Sequence, residues 1–228
     1  MARLARVVIP GMPHHVVQRG NRRLDVFFSD DDRMAYLTLL RKACRRHGVA
    51  IWAYCLMRNH VHVIAVPDQA DSLARCFSDA HVRYTRRVNV REGWRGHLWQ
   101  GRFGSSILDE RYLIAAVRYV ERNPVRAGIV RRAWEYPWSS AKLHVGVVSS
   151  DPLVRGDEPL RAMIQAWKGY LGTEEDATEI TTIRRNTPVS RPLGDEDFVR
   201  ELERKLKRPL IRRRSGRRGH RKSVAVPD

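Results

Sequence analysis

The chain has 228 residues, enough for one good-sized domain and an appendage. Its 43 Lys and Arg residues exceed its 25 Asp and Glu residues, and the resulting net charge of +18 favours a nucleic acid over an acidic membrane as partner. The sequence contains no run of about 20 apolar residues, so we predict no membrane span. Its three cysteines match neither a zinc site nor a disulfide framework, and we therefore expect a cytoplasmic, nucleoid-associated protein.

The first part of the chain predicts alternating strands and helices. Apolar residues recur at helical spacing in some segments, and β-branched residues dominate others. Arg58-Asn59 predicts a tight turn that joins two strands into a hairpin, and Asn123-Pro124 predicts the end of the third helix. In chain order the predicted elements are a strand at 14–19, a helix at 31–47, strands at 49–57 and 60–67, a helix at 72–90, a short strand at 105–108 and a helix at 110–122.

This order, β-α-β-β-α-β-α, is similar to a split βαβ arrangement. It predicts an α+β fold with a ferredoxin-like antiparallel sheet and helices packed on one face. After Gly146 the chain becomes polar and richer in Pro and Gly, with helices predicted near 158–170 and 196–207. We therefore divide the chain into a main domain at 1–145, a mostly helical C-terminal extension at 146–207 and a basic disordered tail at 208–228.

Two histidines, His60 and His62, stand one residue apart at the start of a predicted strand. Alternate residues of a strand point to the same face, so the two imidazoles project together, roughly 7 Å apart at their Cα atoms. Neutral imidazoles in this arrangement can begin a metal site. The alternative is a pair of strand histidines satisfied by hydrogen bonds, because two ligands alone do not make a site.

Tyr119 and Asn123 can supply the rest of such a site. Their i, i+4 spacing places them on one face of the third predicted helix. An Asn oxygen can ligate a hard cation, and a tyrosine hydroxyl can attack a phosphate. The alternatives are a core tyrosine and a helix-terminating asparagine, and spacing alone does not choose Tyr119 over Tyr84 or Tyr112.

Three motifs carry a resemblance to a known family. They are Ala53-Tyr-Cys-Leu-Met-Arg-Asn-His-Val-His62, Leu98-Trp-Gln-Gly-Arg-Phe103 and Arg118-Tyr-Val-Glu-Arg-Asn-Pro-Val-Arg-Ala-Gly128. Together they resemble the REP-associated tyrosine transposases, which are single-tyrosine HUH transposases of the IS200-like group. The chain departs from the family pattern at Arg58, where members often have Pro, and at Gly104, where a basic residue is common.

The resemblance implies a catalytic domain at 1–145 with a ferredoxin-like fold and single-stranded DNA as substrate. It implies that His60 and His62 bind a divalent metal ion, Mg²⁺ or Mn²⁺, that Asn123 completes the site, and that Tyr119 is the nucleophile. Tyr84 then has a role in packing or DNA contact.

The loop at 94–103 and several arginines are candidate DNA contacts. Trp94, Trp99 and Phe103 can stack on unpaired bases, while Arg95 and Arg102 can reach phosphates. The alternative for Trp99 is a core anchor of the loop. The further candidates are Arg22, Arg23 and Arg126, which can also be solvated surface residues.

The function that these features indicate is metal-dependent cleavage and strand transfer of single-stranded or hairpin DNA through a 5′-phosphotyrosine. We expect a monomer or homodimer with no membrane partner. Two alternatives remain open, a non-catalytic DNA-binding regulator with the same fold and a metal-dependent hydrolase that uses the two histidines.

Overall fold

The computed structural model describes residues 6–156 and 159–210. Within them, four strands form one antiparallel sheet in the order β2-β3-β1-β4. The elements that build it are β1 (His14–Arg19), α1 (Asp30–His47), β2 (Val49–Met57), β3 (His60–Pro67), α2 (Ser72–Glu92) and β4 (Gly104–Ile107). Their bounds agree closely with those predicted from the sequence, and the strand order is that of a ferredoxin-like sheet.

Helices cover both faces of this sheet. On one face, α1 and α2 pack against alternate strand residues such as Tyr54, Val61 and Val63. On the other face, α3 (Glu110–Glu121) packs against Cys55 and Ile64. The ferredoxin-like α+β fold is thus confirmed, but its description as helices on one face is incomplete. The physical reason is that β2 and β3 are apolar on both sides, so each face needs a covering layer.

The third helix ends at Glu121, just before Asn123-Pro124, as predicted. After α3, one further helical turn, α4 (Asn123–Arg126), follows across a break at Arg122. Pro124 lies in the first turn of α4, where its missing N–H leaves no hydrogen bond unmade.

The C-terminal extension folds back onto α3. Its helices follow α5 (Ala141–His144), the last helix of the main domain, and are α6 (Leu160–Met163), α7 (Trp167–Gly172), α8 (Ala177–Asn186) and α9 (Glu196–Leu206). Apolar residues of α6, α7 and α8 join the buried cluster that contains α3. The single helix predicted near 158–170 is wrong, because Ile164 adopts extended backbone and separates α6 from α7. The sequence prediction also missed α8, which is short and largely exposed.

A short 3-10 turn, Thr187–Val189, joins the extension to the edge of the sheet. It passes so close to β4 that a Cβ atom on Gly104 would lie 2.5 Å from the carbonyl oxygen of Thr187. Ser190 strengthens the junction by accepting a hydrogen bond from the Ser105 N–H at 3.2 Å. Glycine at 104 thus permits a backbone approach that no other residue allows.

Two further sequence predictions concern the C-terminal tail and membrane-spanning helices. The tail predicted at 208–228 lies outside the described residues from 211 onward. Among the helices of 6–156 and 159–210, none combines the length and the apolar character that crossing a bilayer would need.

Candidate active site

A cleft of about 680 Å³ opens on the sheet face that α3 covers. Strand β3 contributes His60 and His62 to it, and α3 and α4 contribute the residues that follow in the predicted motif. The predicted site residues that line this one cleft are His60, His62, Tyr119, Asn123, Arg126, Arg102 and Arg23. The fold thus brings together residues that lie far apart in the sequence.

Both strand histidines are held in the neutral form. Burial, with smaller effects from the positive charges of Arg19 and Arg126, lowers the pKa of His60 to about 4. Burial also holds the pKa of His62 well below its usual value, with smaller effects from His60, His15 and the arginines. Their ring centroids are 5.0 Å apart. Neutral imidazole is the form that ligates a metal ion, so both rings are ready to do so near neutral pH.

The hydrogen bonds of the two imidazoles leave the same ring atom available on each. Nδ1 of His60 lies 2.6 Å from Oδ1 of Asn59, and Nδ1 of His62 lies 2.9 Å from Nε2 of His15. Asn59 donates its own amide to the Arg23 carbonyl, so its Oδ1 accepts from His60. Within the described residues, no hydrogen bond reaches Nε2 of His60 or His62. Two free Nε2 atoms fit the first two ligands of a metal site.

In the described part of the chain, the third metal ligand has to be a side chain other than the usual His, Cys, Asp or Glu. Residues 6–156 and 159–210 contain no group of three His, Cys, Asp or Glu side chains placed to hold a metal ion. Asn123 lines the cleft beside the histidines and is largely buried. Its side-chain oxygen is a donor that Mg²⁺ and Mn²⁺ accept. The residues present therefore fit a site with few protein ligands and open positions for substrate.

Tyr119 lies beside the histidines in the cleft, and this position distinguishes it from Tyr84 and Tyr112. Its ring is nearly perpendicular to that of His62, with the centroids 5.4 Å apart. Tyr84 is fully buried on the opposite face of the sheet and donates its hydroxyl to the Val26 carbonyl at 2.6 Å. Tyr112 is half-buried in the α3 core and does not line the cleft. Of these three tyrosines, Tyr119 alone lies beside the metal-ligand candidates.

A cation covers the ring of Tyr119. The guanidinium carbon of Arg126 lies 4.1 Å from the ring centroid, within range for a cation–π contact. Glu175, in the segment between α7 and α8, pairs with Arg126 at 2.6 Å and with Arg122 at 3.3 Å. Sequence reasoning found Arg126 as a DNA contact but missed Glu175, which lies 49 residues further along the chain and has no local motif.

Two more residues of the site were missed. His15, on β1, contacts His62 through Nε2 and the hydroxyl of Thr187 through Nδ1, both at 2.9 Å. Burial lowers the pKa of His15 to about 3, with a smaller effect from Arg126, so this ring is also neutral. The sequence could have pointed to His15, because it lies in the strand predicted at 14–19, but no sequence pattern points to Thr187.

The predicted DNA contacts divide into three groups. Arg102 and Arg23 line the cleft, whereas Arg22 and Arg95 are exposed outside it. Trp99 is buried, and its ring stacks on His81 with the centroids 4.5 Å apart, as its alternative role of core anchor predicts.

Of the three aromatic residues of this loop, Trp94 is the exposed one. It lines an adjoining cleft of about 880 Å³ that shares Gln18 and Arg102 with the first. Trp94 is half-exposed and meets Phe28 edge-to-face, with the ring centroids 5.7 Å apart, so part of its ring remains accessible to a ligand.

Comparisons with known proteins agree with these features. The family model described as "Transposase IS200 like" matches residues 9–123, about half of the chain. A Haemophilus influenzae protein whose name assigns it to the REP-associated tyrosine transposases is 23% identical over an alignment of 124 residues, with a coverage of 50% of this chain and 68% of the relative. A solved structure of a REP-associated tyrosine transposase bound to a REP hairpin has 21% identity and a TM-score of 0.56, covering 69% of this chain and 93% of that one. The last likeness is one of fold.

Proposed function

Because the chain belongs to the IS200-like transposase family, we propose that it cleaves and rejoins single-stranded DNA through a covalent bond between Tyr119 and a 5′ phosphate. The observation that carries this proposal is the position of Tyr119, 5.4 Å from His62 between ring centroids in the cleft that also holds His60 and Asn123. The solved relative of the same fold binds a REP hairpin, so we propose a DNA hairpin with single-stranded flanks as substrate.

The chemistry of strand cleavage follows from the tyrosine hydroxyl. Its oxygen attacks the phosphorus of a phosphodiester, forming a phosphotyrosine while the bond from phosphorus to the 3′ oxygen breaks. The phenol gives up a proton and the leaving 3′ oxygen takes one, so the step consumes none. A second 3′ hydroxyl can then attack the phosphotyrosine and rejoin the strand. Since the covalent link conserves the phosphodiester bond, no nucleotide cofactor is required.

His60, His62 and Asn123 would hold the divalent ion, Mg²⁺ or Mn²⁺. When bound there, the ion would polarise the scissile phosphate and stabilise negative charge on its oxygens. The histidines are suited to this task because burial keeps them neutral and their Nδ1 atoms are occupied by Asn59 and His15.

Arginines and an exposed aromatic ring would hold the strand. Arg126 lies over Tyr119 and Arg102 lines the same cleft, so both can contact a phosphate placed for attack. The adjoining cleft offers the half-exposed ring of Trp94, and an unpaired base can stack on it. The net charge of +18 would draw a polyanion to both clefts.

Cleavage assays on labelled hairpin DNA test this function. With Mn²⁺ present, the protein should cut one strand, release the 5′ fragment with a free 3′ hydroxyl and retain the 3′ fragment through its 5′ phosphate, and EDTA should stop the reaction. His60→Ala and His62→Ala should each lower the cleavage rate about 100-fold or more while DNA binding persists.

His47→Ala is the matched control. His47 is the last residue of α1, lies away from the cleft and pairs with Asp79. Full cleavage in EDTA would contradict the metal site. Binding without cleavage under all metal conditions would favour the DNA-binding regulator instead.

A further inference from the structure

A chain of two hydrogen bonds links the C-terminal extension to the candidate metal site. The hydroxyl of Thr187 lies 2.9 Å from Nδ1 of His15, and Nε2 of His15 lies 2.9 Å from Nδ1 of His62. All three side chains are buried, with 1% of Thr187, 1% of His15 and 4% of His62 exposed. Because these contacts lie away from water, their direction depends on which ring nitrogens carry the protons.

The geometry allows one proton in each of the two gaps. At 2.9 Å, two ring nitrogens cannot both carry hydrogen, so either His62 donates to His15 or His15 donates to His62. If His62 donates, its proton is on Nδ1 and its Nε2 lone pair faces the cleft. A neutral His15 must then carry its proton on Nδ1 and donate it to Thr187. In the opposite direction, His62 would be protonated on Nε2 and could not ligate through that atom.

We propose that His15 and Thr187 are positioning residues that keep the proton of His62 on Nδ1 and leave its Nε2 open as a metal ligand. The inference rests on the proposed function, since the metal is part of that proposal. His60 provides an independent parallel, because its Nδ1 donates to Asn59 at 2.6 Å and its Nε2 is likewise left for the cleft. Both candidate ligands thus have a dedicated acceptor behind the ring, as metal-binding histidines do.

Thr187 is essential to the direction of the chain of hydrogen bonds. Without its hydroxyl, an Nδ1–H on His15 would be a buried donor with no acceptor. Unpaired buried N–H groups are costly and rare. His15 would therefore move its proton to Nε2, and His62 would move its own to the ring atom that should bind the metal.

The position of Thr187 depends in turn on the extension. The 3-10 turn that contains Thr187 packs on β4 at Gly104, where the backbone of Thr187 and Pro188 comes closest to the strand. The family match covers 9–123, so Thr187 lies outside it. The metal site of this chain is therefore completed by a residue of the C-terminal extension, and the extension is part of the active site.

The tautomer of His62 can be measured without metal or DNA. Long-range ¹H–¹⁵N NMR of the full-length protein, with His62 assigned by His62→Gln, should show the proton of His62 on Nδ1. In Thr187→Val, which keeps the shape and removes the hydroxyl, the proton should move to Nε2. Thr187→Ser restores a hydroxyl and should restore the wild-type tautomer. Thr181→Val is the control, since Thr181 bonds only within exposed α8.

Mn²⁺ affinity gives a second measurement in the absence of DNA. His15→Phe should weaken Mn²⁺ binding about 10–100-fold, the usual effect of losing a partner behind a metal ligand. Thr187→Val should weaken it in the same direction, and Thr187→Ser should not. Circular dichroism of each variant establishes that it is folded.

The outcomes separate this inference from the proposed function. An unchanged His62 tautomer in folded Thr187→Val and in His15→Phe would overturn the positioning role, whatever the metal does. If wild-type protein and His62→Gln bind Mn²⁺ equally, the metal site of the proposed function fails. The NMR result would then still decide whether Thr187 sets the proton position.

Discussion

The rings of Tyr119 and His62 stand nearly perpendicular, at 87°, with their centroids 5.4 Å apart. One belongs to α3 and the other to β3, so the contact exists because α3 packs over the second face of the sheet. The proposed nucleophile is therefore fixed beside the proposed metal ligands by the core of the protein. A loop-borne tyrosine would have had to be ordered by substrate, at a cost in conformational entropy.

Replacing Gly104 by alanine should destabilise the junction between sheet and extension. The new Cβ would lie 2.5 Å from the Thr187 oxygen and 2.9 Å from the Cα of Pro188. Because both are backbone atoms, the segment must shift, and we expect a loss of about 1–3 kcal/mol in the free energy of unfolding. Urea unfolding followed by circular dichroism measures this loss.

Gly169→Ala is the matched control for that prediction. A Cβ at this position in α7 meets nothing within 4 Å, and alanine is favoured over glycine in a helix by about 0.5–1 kcal/mol. Gly169→Ala should therefore not lower the unfolding free energy. If Gly104→Ala does not lower it either, the close packing of Thr187 on β4 is contradicted.

Removing the charge of Glu175 should tighten DNA binding. This carboxylate holds Arg126 at 2.6 Å and Arg122 at 3.3 Å, and both arginines become available to phosphates in Glu175→Gln. Measured across a salt series, the affinity of Glu175→Gln for single-stranded DNA should exceed that of the wild type at low salt. Its dependence on log salt should steepen by about 0.7 for each arginine that gains a phosphate contact.

Glu179→Gln tests whether this effect depends on position. Glu179 pairs with exposed Arg111 at 3.3 Å, so its substitution makes the same change in net charge outside the cleft. Equal salt slopes for Glu175→Gln and Glu179→Gln would mean that Arg122 and Arg126 do not contact the strand.

The strand pairing explains why the sequence predicted some of this site and not the rest. His60 and His62 are recognisable because two-residue spacing is a property of any strand. His15 becomes their neighbour through the register of β1 on β3, in which Val17 pairs with His62 and His15 with Ile64. No local pattern specifies a register between strands that are separated by a helix and a hairpin.

The contribution of the extension was still less accessible to sequence reasoning. Thr187 meets His15 across 172 residues, and Glu175 meets Arg126 across 49. Such contacts depend on how short helices pack, and α6, α7 and α8 carry weak amphipathic patterns of about one to three turns. The resemblance to a family supplied Tyr119 over Tyr84 and Tyr112, a choice that spacing left open.

The basic C-terminal residues should add sequence-independent affinity for DNA. Leu210 is buried against Val7 and Leu202, so truncation should follow Leu210 to leave this packing intact. It removes Arg212, Arg213, Arg214, Arg217, Arg218, Arg221 and Lys222. We expect weaker binding to every DNA sequence and a salt slope reduced by about 0.7 for each lost contact with a single strand.

A shorter truncation, after Lys222, is the control because it keeps all of these cations. It should leave the slope as in the full chain. Identical slopes for both truncations would mean that these residues do not contact DNA, and loss of cleavage at saturating DNA would place them in the active site.

The most direct test of the account is the identity of the tyrosine that becomes linked to DNA. Trypsin separates the three candidates, since cleavage after Arg83, Arg111 and Arg118 releases Tyr84, Tyr112 and Tyr119 in different peptides. After reaction with hairpin DNA and Mn²⁺, mass spectrometry should find the nucleotide mass on Tyr119. Tyr119→Phe should form no adduct, while Tyr84→Phe and Tyr112→Phe should. A nucleotide mass on Tyr84 or Tyr112, or an adduct that survives in Tyr119→Phe, would contradict the account.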